Sequence, residues 1–426
     1  MYLAMIGQRL AKLRAGAWQA AVMRSGMLTA LLLGVVLAGL MFAMRERGRG
    51  RLAQLKRELA TKPVAKPVVI PKPGGQDPVV LQRSAMSGGT MPEFLTATLL
   101  PGRGMDLLQI TAYLPDKGEV KLLASEPLEQ AEKMLVGSGA DEGGRGTLML
   151  GGALEVPWAN RLGGTAMPDG RGITTIWHGR ALSLPGAAGG LLAPVASTTV
   201  KTSVMPDGGD LQAEYDAGSF DDAWPSKTTV RTTVLLSSRA IEIKVVAQNT
   251  GTEPEPMGIG WLPRFAIPSG DRGSAMLRLP NADRVELRKD HGQLPTGRVL
   301  PVTGTEYDFT GQHGAKLGTR GIDASFVNLK PGVLDNGPVV ELRDPTSGYG
   351  LRLTALSPSI RSIAVHAPAN EPWVSIDPGT NYDDPLGREW AKSEDTGMVV
   401  LQPGESMQWR VRLELFPLSA QPDSLF

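Results

Sequence analysis

From about residue 92 to the C-terminus, apolar and polar positions alternate in short runs, broken every few residues by Gly, Pro, Asn or Asp. Residues 229–247 (TVRTTVLLSSRAIEIKVVA) hold two such runs joined at Ser237-Ser238, and in the second Ile241, Ile243 and Val245 alternate with Glu242 and Lys244. A period of two is the mark of a half-buried strand, so this stretch predicts two paired strands. Residues 339–343 and 350–354, separated by DPTSGY, predict a hairpin. In the last strand Trp409, Val411, Leu413 and Leu415 alternate with Arg410, Arg412 and Glu414. Strands with one apolar and one polar face belong to antiparallel sheets. Helical periodicity is weak, with one short helix predicted over 128–135. About 335 residues of this texture predict a mainly β domain, a large antiparallel sandwich spanning 92–426.

The first ninety residues read differently. A short basic segment, 1–24, precedes residues 25–44 (SGMLTALLLGVVLAGLMFAM), which carry no charge. About 20 apolar residues suffice for a helix to cross a bilayer. Residues 25–44 therefore predict a single transmembrane helix, and the lipid bilayer is one partner. A cleaved signal peptide would have a shorter apolar core and a small-residue cleavage site before the arginines. Residues 45–91 follow as a basic flank and a proline-rich linker; the stretch 62–78 (KPVAKPVVIPKPGGQDP) reads as an extended spacer. Counting positive residues alone would put the C-terminal side in the cytoplasm. The spacer argues for a domain held off the outer side of a bacterial inner membrane, and the periplasmic side is the one expected. The basic stretch 45–59 is either a solvated stop-transfer flank or a contact for anionic headgroups.

Composition then removes alternatives. Lys plus Arg number 44 and Asp plus Glu 43, so no global charge draws the chain to nucleic acid. Gly and Pro, 52 and 33, favour turns and short strands. With no cysteine there is no disulfide, thiolate metal site or cysteine nucleophile. Only four histidines occur, His178, His291, His313 and His366, none at a metal-pair spacing. No metal or cofactor is expected.

One carboxylate stands out. In Pro372-Trp373-Val374-Ser375-Ile376-Asp377-Pro378, Val374 and Ile376 share a face and Asp377 falls where a proline is expected to end the strand. Such a position suits either a turn cap or a functional group at a sheet edge.

Five stretches in order resemble the aldose 1-epimerase (galactose mutarotase-like) family. They are Pro157-Trp158-Ala159-Asn160-Arg161-Leu162; Gly258-Ile259-Gly260-Trp261-Leu262-Pro263-Arg264-Phe265; Leu294-Pro295-Thr296-Gly297 with Val302-Thr303-Gly304-Thr305-Glu306-Tyr307-Asp308-Phe309; Gly321-Ile322-Asp323-Ala324-Ser325-Phe326; and Val374 to Pro378. The resemblance implies a β-supersandwich and interconversion of the α and β anomers of an aldose. It implies a hexose or oligosaccharide as partner. That chemistry needs a base at the anomeric hydroxyl and an acid at the ring oxygen, both within hydrogen-bond reach.

Carried over by position, the resemblance gives Arg161 and Asp323 to sugar binding, with Asn160 and Trp261 beside them. It gives the base to Asp377, where the family has glutamate. One methylene fewer retracts the carboxylate by about 1.5 Å, and a misplacement of about 1 Å can cost ~100-fold in rate. Leu262 stands where the family has its acid histidine, and residues 190–197 lack the family's second histidine. His366, one strand upstream of Asp377, is the candidate substitute acid. His178 reads as a turn residue rather than the family's ligand, because it follows Arg161 too closely; His291 and His313 fall in Gly-flanked loops. Trp158, Trp261, Trp373 and Tyr382 either stack on a sugar or form core and cleft wall. The alternative to an enzyme is a catalytically degenerate member, a carbohydrate-binding or structural module of the cell envelope.

Overall fold

A computed structural model describes residues 31–46, 71–83, 89–135, 144–288 and 294–418. Two compact units divide the chain, 1–69 and 70–426. In the first, residues 31–46 form a helix whose apolar side chains, among them Leu31, Leu33, Val35 and Phe42, are exposed. Among the described residues no helix is long and apolar enough to cross a membrane, and residues 25–30 of the expected span lie outside them.

The second unit is built on strands. Seven form the sheet that matters for function: β1 (Gly152–Glu155), β2 (Gly260–Ala266), β3 (Asn281–Leu287), β4 (Pro295–Pro301), β5 (Ile322–Lys330), β6 (Ser362–Ala367) and β7 (Trp373–Gly379). Their spatial order is β4-β3-β5-β6-β7-β2-β1. Every neighbouring pair is antiparallel.

A nine-stranded sheet supplies the scaffold, centred on Ala240–Asn249, Ser406–Pro417 and Tyr349–Ala355. The inward residues of both sheets belong to one core: Ile241, Ile243, Val245, Trp409, Val411 and Leu413 from the nine-stranded sheet meet Phe265, Ile363, Val365, Val374 and Ile376 from the seven. Trp409 also donates its indole N–H to the carbonyl of Pro378 at 3.0 Å, tying the sheets together.

The strands read from periodicity in 229–247, at 339–343 and 350–354 and over 409–415 are all present, as Thr228–Leu236, Ala240–Asn249, Val339–Asp344, Tyr349–Ala355 and Ser406–Pro417, as is the helix Leu128–Leu135. Two boundaries differ. The compact unit begins at Ile70, not residue 92, and Val79–Gln82 pairs in register with Glu93–Leu100. The prolines around it hid a four-residue strand. The second difference is at Pro378, which does not end its strand. β7 runs on to Gly379, and Pro378 pairs with Ile363 of β6. The β2 ladder reaches only from Trp373 to Ser375, so the missing proline N–H costs no bond on that side.

Candidate functional site

Alternation along the seven-stranded sheet sorts its residues. On β7, Val374 and Ile376 enter the core while Trp373, Ser375 and Asp377 face outward. On β2, Trp261 and Phe265 face the core while Leu262 and Arg264 face outward. The registers Asp323↔His366, His366↔Ser375 and Ser375↔Arg264 set one row across the outer face. Ser325↔Ala364 and Ala364↔Asp377 set the next.

A cavity of about 260 Å³ sits over these rows. Its wall includes Asn160, Arg161, Asp323, His366 and Asp377, five of the six residues singled out from sequence. The sixth, Trp261, is a correction. It is wholly buried, stacks edge-on against Phe265 at 5.9 Å and donates its N–H to the carbonyl of Gly152 at 3.0 Å. Being one residue from Leu262 on a strand puts it on the opposite face. Trp158 is also core, against Trp224 at 5.3 Å, whereas Trp373 lines the cavity. His178 occupies the turn between Ile173–Trp177 and Arg180–Leu184 with φ 49°, stacked on Trp177. His313 lies 3.3 Å from Arg343, and His291 falls outside the described residues.

The loop carrying Asn160 and Arg161 is pinned from below. Asn381 accepts from the N–H of Ala159 at 3.0 Å and donates to its carbonyl at 2.8 Å. Asn160 takes a left-handed backbone, φ 61°, which asparagine tolerates better than most residues. Its side chain donates to the carbonyl of Asn381 at 3.2 Å, so it holds the loop as well as lining the cavity. Arg161 then reaches Asp323 at 3.8 Å, and Asp323 lies 3.8 Å from Nδ1 of His366.

Sequence reading missed two acids that line the same cavity, Glu155 and Asp383. Glu155 ends β1, and its Oε2 accepts from the N–H of Asn160 at 3.2 Å. Burial pushes its carboxyl up to about 8, against that hydrogen bond and with help from the charge of Asp383. Gly260 lets this happen: a Cβ there would stand 2.7 Å from Oε2 of Glu155. Asp383 follows β7 in a loop fixed by Trp390, which donates to the carbonyl of Asp383 at 3.1 Å. Burial raises Asp383 to about 6, opposed by a hydrogen bond from Ser325 and the charge of Arg161. Asp377 is raised well above the ordinary carboxylate value, first by burial and then by Glu155; a Ser375 hydrogen, when it is donated to the carboxyl, and the charge of Arg264 oppose the shift. The signals were present in the chain: Glu155 is a lone acid in an apolar strand, and Asp383 sits in a polar run directly after Asp377's strand.

Arg264 does not neutralise this cluster directly. Its guanidinium donates to the carbonyls of Met149 at 2.7 Å and Leu148 at 3.4 Å and lies 5.3 Å from the Trp373 ring centre. Four carboxyls, two guanidiniums and one imidazole thus surround a small cavity with an aromatic wall. Such a set can hydrogen-bond several hydroxyls and move protons between them. Among the described residues no cluster of His, Asp and Glu could hold a metal ion.

Comparison with known proteins bears on this arrangement. The aldose 1-epimerase family profile matches residues 124–414, more than half of the chain. The chain belongs to the aldose 1-epimerase family. Solved structures share the fold. A galactose mutarotase-like protein from Clostridium acetobutylicum superposes with a TM-score of 0.62 at 15% identity, covering 79% of this chain and 98% of that one. A putative aldose 1-epimerase from Escherichia coli K12 gives 0.57 at 16% identity, covering 80% and 100%. The GalM/aldose epimerase homologue from C. elegans gives 0.57 at 18%, covering 76% and 96%. No curated protein sequence matches the chain.

Proposed function

We propose that this aldose 1-epimerase family member binds a single aldose residue, free or at the end of an oligosaccharide, and interconverts its anomers. The observation that carries the reading is the convergence of Arg161, Asp323, His366 and Asp377 on one cavity of about 260 Å³. Ligand pockets for drug-sized molecules start at roughly 300 Å³, so this one suits a monosaccharide unit. Trp373 offers an apolar face for the sugar ring, and the charged groups offer donors and acceptors for its hydroxyls.

The test is NMR-monitored mutarotation of glucose and galactose by the purified protein, with titration of the same sugars. Turnover above the buffer rate supports the enzyme reading. Absence of both binding and turnover rejects it for these sugars.

A second reading, a sugar-recognition module without turnover, has one observation in its favour. Leu262 lines the cavity where the family resemblance expects an acid histidine, and leucine has no proton to give. Binding without turnover would select it.

The proposal extends to location: residues 25–44 anchor the protein once in a bacterial inner membrane, with the sandwich domain on the periplasmic side. The uncharged segment and the exposed apolar side chains of the 31–46 helix support this. Release of the protein from membranes by alkaline carbonate would reject it.

A further inference from the structure

Resting on the epimerase reading, we propose that Asp377 is the proton donor in this pocket and His366 the acceptor, the reverse of the roles the family resemblance gives these positions. Ser375 Oγ lies 2.7 Å from the carbonyl oxygen of Pro263 and 2.5 Å from Oδ1 of Asp377. A hydroxyl has one hydrogen, and a backbone carbonyl can only accept. If Ser375 donates to Pro263, the hydrogen in the Ser375–Asp377 contact belongs to the carboxyl. If Asp377 were ionised, one of the two close contacts would set oxygen lone pairs against each other. Buried polar groups are rarely left so. Ser375 is itself buried on β7, with its Oγ set between the carbonyl of Pro263 on β2 and the carboxyl of Asp377.

The surroundings point the same way. Glu155 from β1 and Asp323 from β5 place two further carboxyls toward Asp377, and Asp383 in the following loop adds another to the cavity wall, so ionising one raises the cost of ionising the next. Arg264 from β2 is the opposing cation, but the hydrogen bonds it makes go to the carbonyls of Met149 and Leu148. Burial raises Asp377 further toward its neutral form.

His366 has the complementary setting. Asp323 stands at Nδ1, 3.8 Å away, which favours the hydrogen on that nitrogen and leaves the Nε2 lone pair to accept. The ring lies 5.7 Å from Trp373 and is about half exposed to the cavity. Because Ala364 pairs with Asp377 and His366 with Ser375, His366 and Asp377 are diagonal neighbours on one face. Such neighbours have Cα atoms about 7–8 Å apart. The two oxygens to be served are bonded to the same carbon, so one sugar can reach both groups.

The steps balance. Nε2 of His366 takes the proton of the anomeric hydroxyl, the bond from C1 to the ring oxygen breaks, and Asp377 gives its proton to that oxygen. The sugar is now an open aldehyde, His366 an imidazolium and Asp377 a carboxylate. Rotation about C1–C2 turns the other carbonyl face to the ring oxygen. Closure returns the oxygen's proton to Asp377, and His366 reprotonates O1. No proton is gained or lost over the cycle.

The test has two arms on the full-length protein in detergent. A difference infrared spectrum of wild type minus Asp377→Asn at pH 7 reads protonation without any activity. A carboxylic acid band in the wild type is expected; a carboxylate band instead would overturn the proposal. In the second arm, Asp377→Asn and His366→Gln should each lower mutarotation at least about 100-fold, as loss of a general acid or base does. The residual rate of His366→Gln should lose the acid limb of the pH profile and keep the alkaline limb. Loss of the alkaline limb instead would restore the opposite roles. An acid band with sugar binding but no wild-type turnover would overturn the catalytic roles alone, and failure of binding as well would reject the epimerase reading itself.

Discussion

Glu341 and Asp377 are both buried carboxyls on outer faces of antiparallel sheets, and they are held in opposite states. Glu341, in the nine-stranded sheet, accepts from Arg343 at 3.0 and 2.6 Å through Oε2 and from Arg352 at 3.0 and 2.8 Å through Oε1. Arg278 adds a third cation at 3.5 Å. Although burial acts to raise it, Arg352 and Arg343 hold Glu341 below the usual carboxylate range. Asp377, in the seven-stranded sheet, meets one arginine whose hydrogen bonds go to other groups and two further acids; burial wins and it is raised. Burial alone therefore does not decide the charge of a carboxyl; the number and aim of its cations does. The scaffold sheet uses its acid to hold arginines in place, and the site sheet keeps its acids protonatable.

The largest effect that would break this contrast is Glu341→Gln. Arg278, Arg343 and Arg352 would then face one another without their shared anion, and stability should fall by about 3 kcal/mol, typical of one partner removed from a buried ion pair. Denaturant unfolding at pH 7 measures it; a loss within about 0.5 kcal/mol, the range of ordinary surface changes, would mean the arginines disperse into solvent.

The site sheet should respond to pH in the other direction. Glu155 has its folded value raised to about 8 from 4.5, so the folded state binds the extra proton between those values. Stability from this group therefore falls as pH rises through that window and levels off above it. Glu341, being lowered, contributes stability above its unfolded value that is lost as pH falls through its folded one. Glu155→Gln should flatten the decline in melting temperature between pH 4.5 and about 8; a decline of unchanged slope would show that Glu155 is ionised in the folded protein.

Smaller still is Arg161→Ala. Removing one charge-assisted hydrogen bond to a sugar hydroxyl should weaken binding by at least about 1 kcal/mol, roughly fivefold in Kd. Calorimetric titration with the bound sugar checks it, and an unchanged Kd would place the sugar elsewhere. The smallest effect belongs to Arg231→Ala on the scaffold sheet. Its 2.7 Å pair with Glu214 is exposed on both sides, so the change in stability should stay below about 1 kcal/mol. A larger loss in thermal unfolding would mean that exposed pairs on this sheet act as a network.

Much of this was legible in the chain. The period-two runs in 229–247 and over 409–415 fix strands because only a sheet puts alternate residues on opposite faces. The ordered motifs placed Arg161, Asp323 and Asp377, and the strand before Asp377 offered His366; all four line one cavity. The same periodicity, applied one residue further, would have kept Trp261 out of the site, since its neighbour Leu262 shares the face of Arg264. Val79–Gln82 was hidden because its proline-rich flanks have the composition of a linker, while its partner strand lies beyond the break.

The sequence by itself determined the longest strands, the family and the order of the candidate groups, because those depend on local periodicity and on motifs read in line. It could not determine which acids would be charged. That depends on whether an arginine from another strand spends its hydrogens on the carboxyl, as Arg343 and Arg352 do for Glu341, or on distant carbonyls, as Arg264 does beside Asp377. Nor could it bring Glu155 and Asp383 to the site. They are more than two hundred residues apart, and only the packing of β1 and β7 on either side of β2 puts both carboxyls against one cavity.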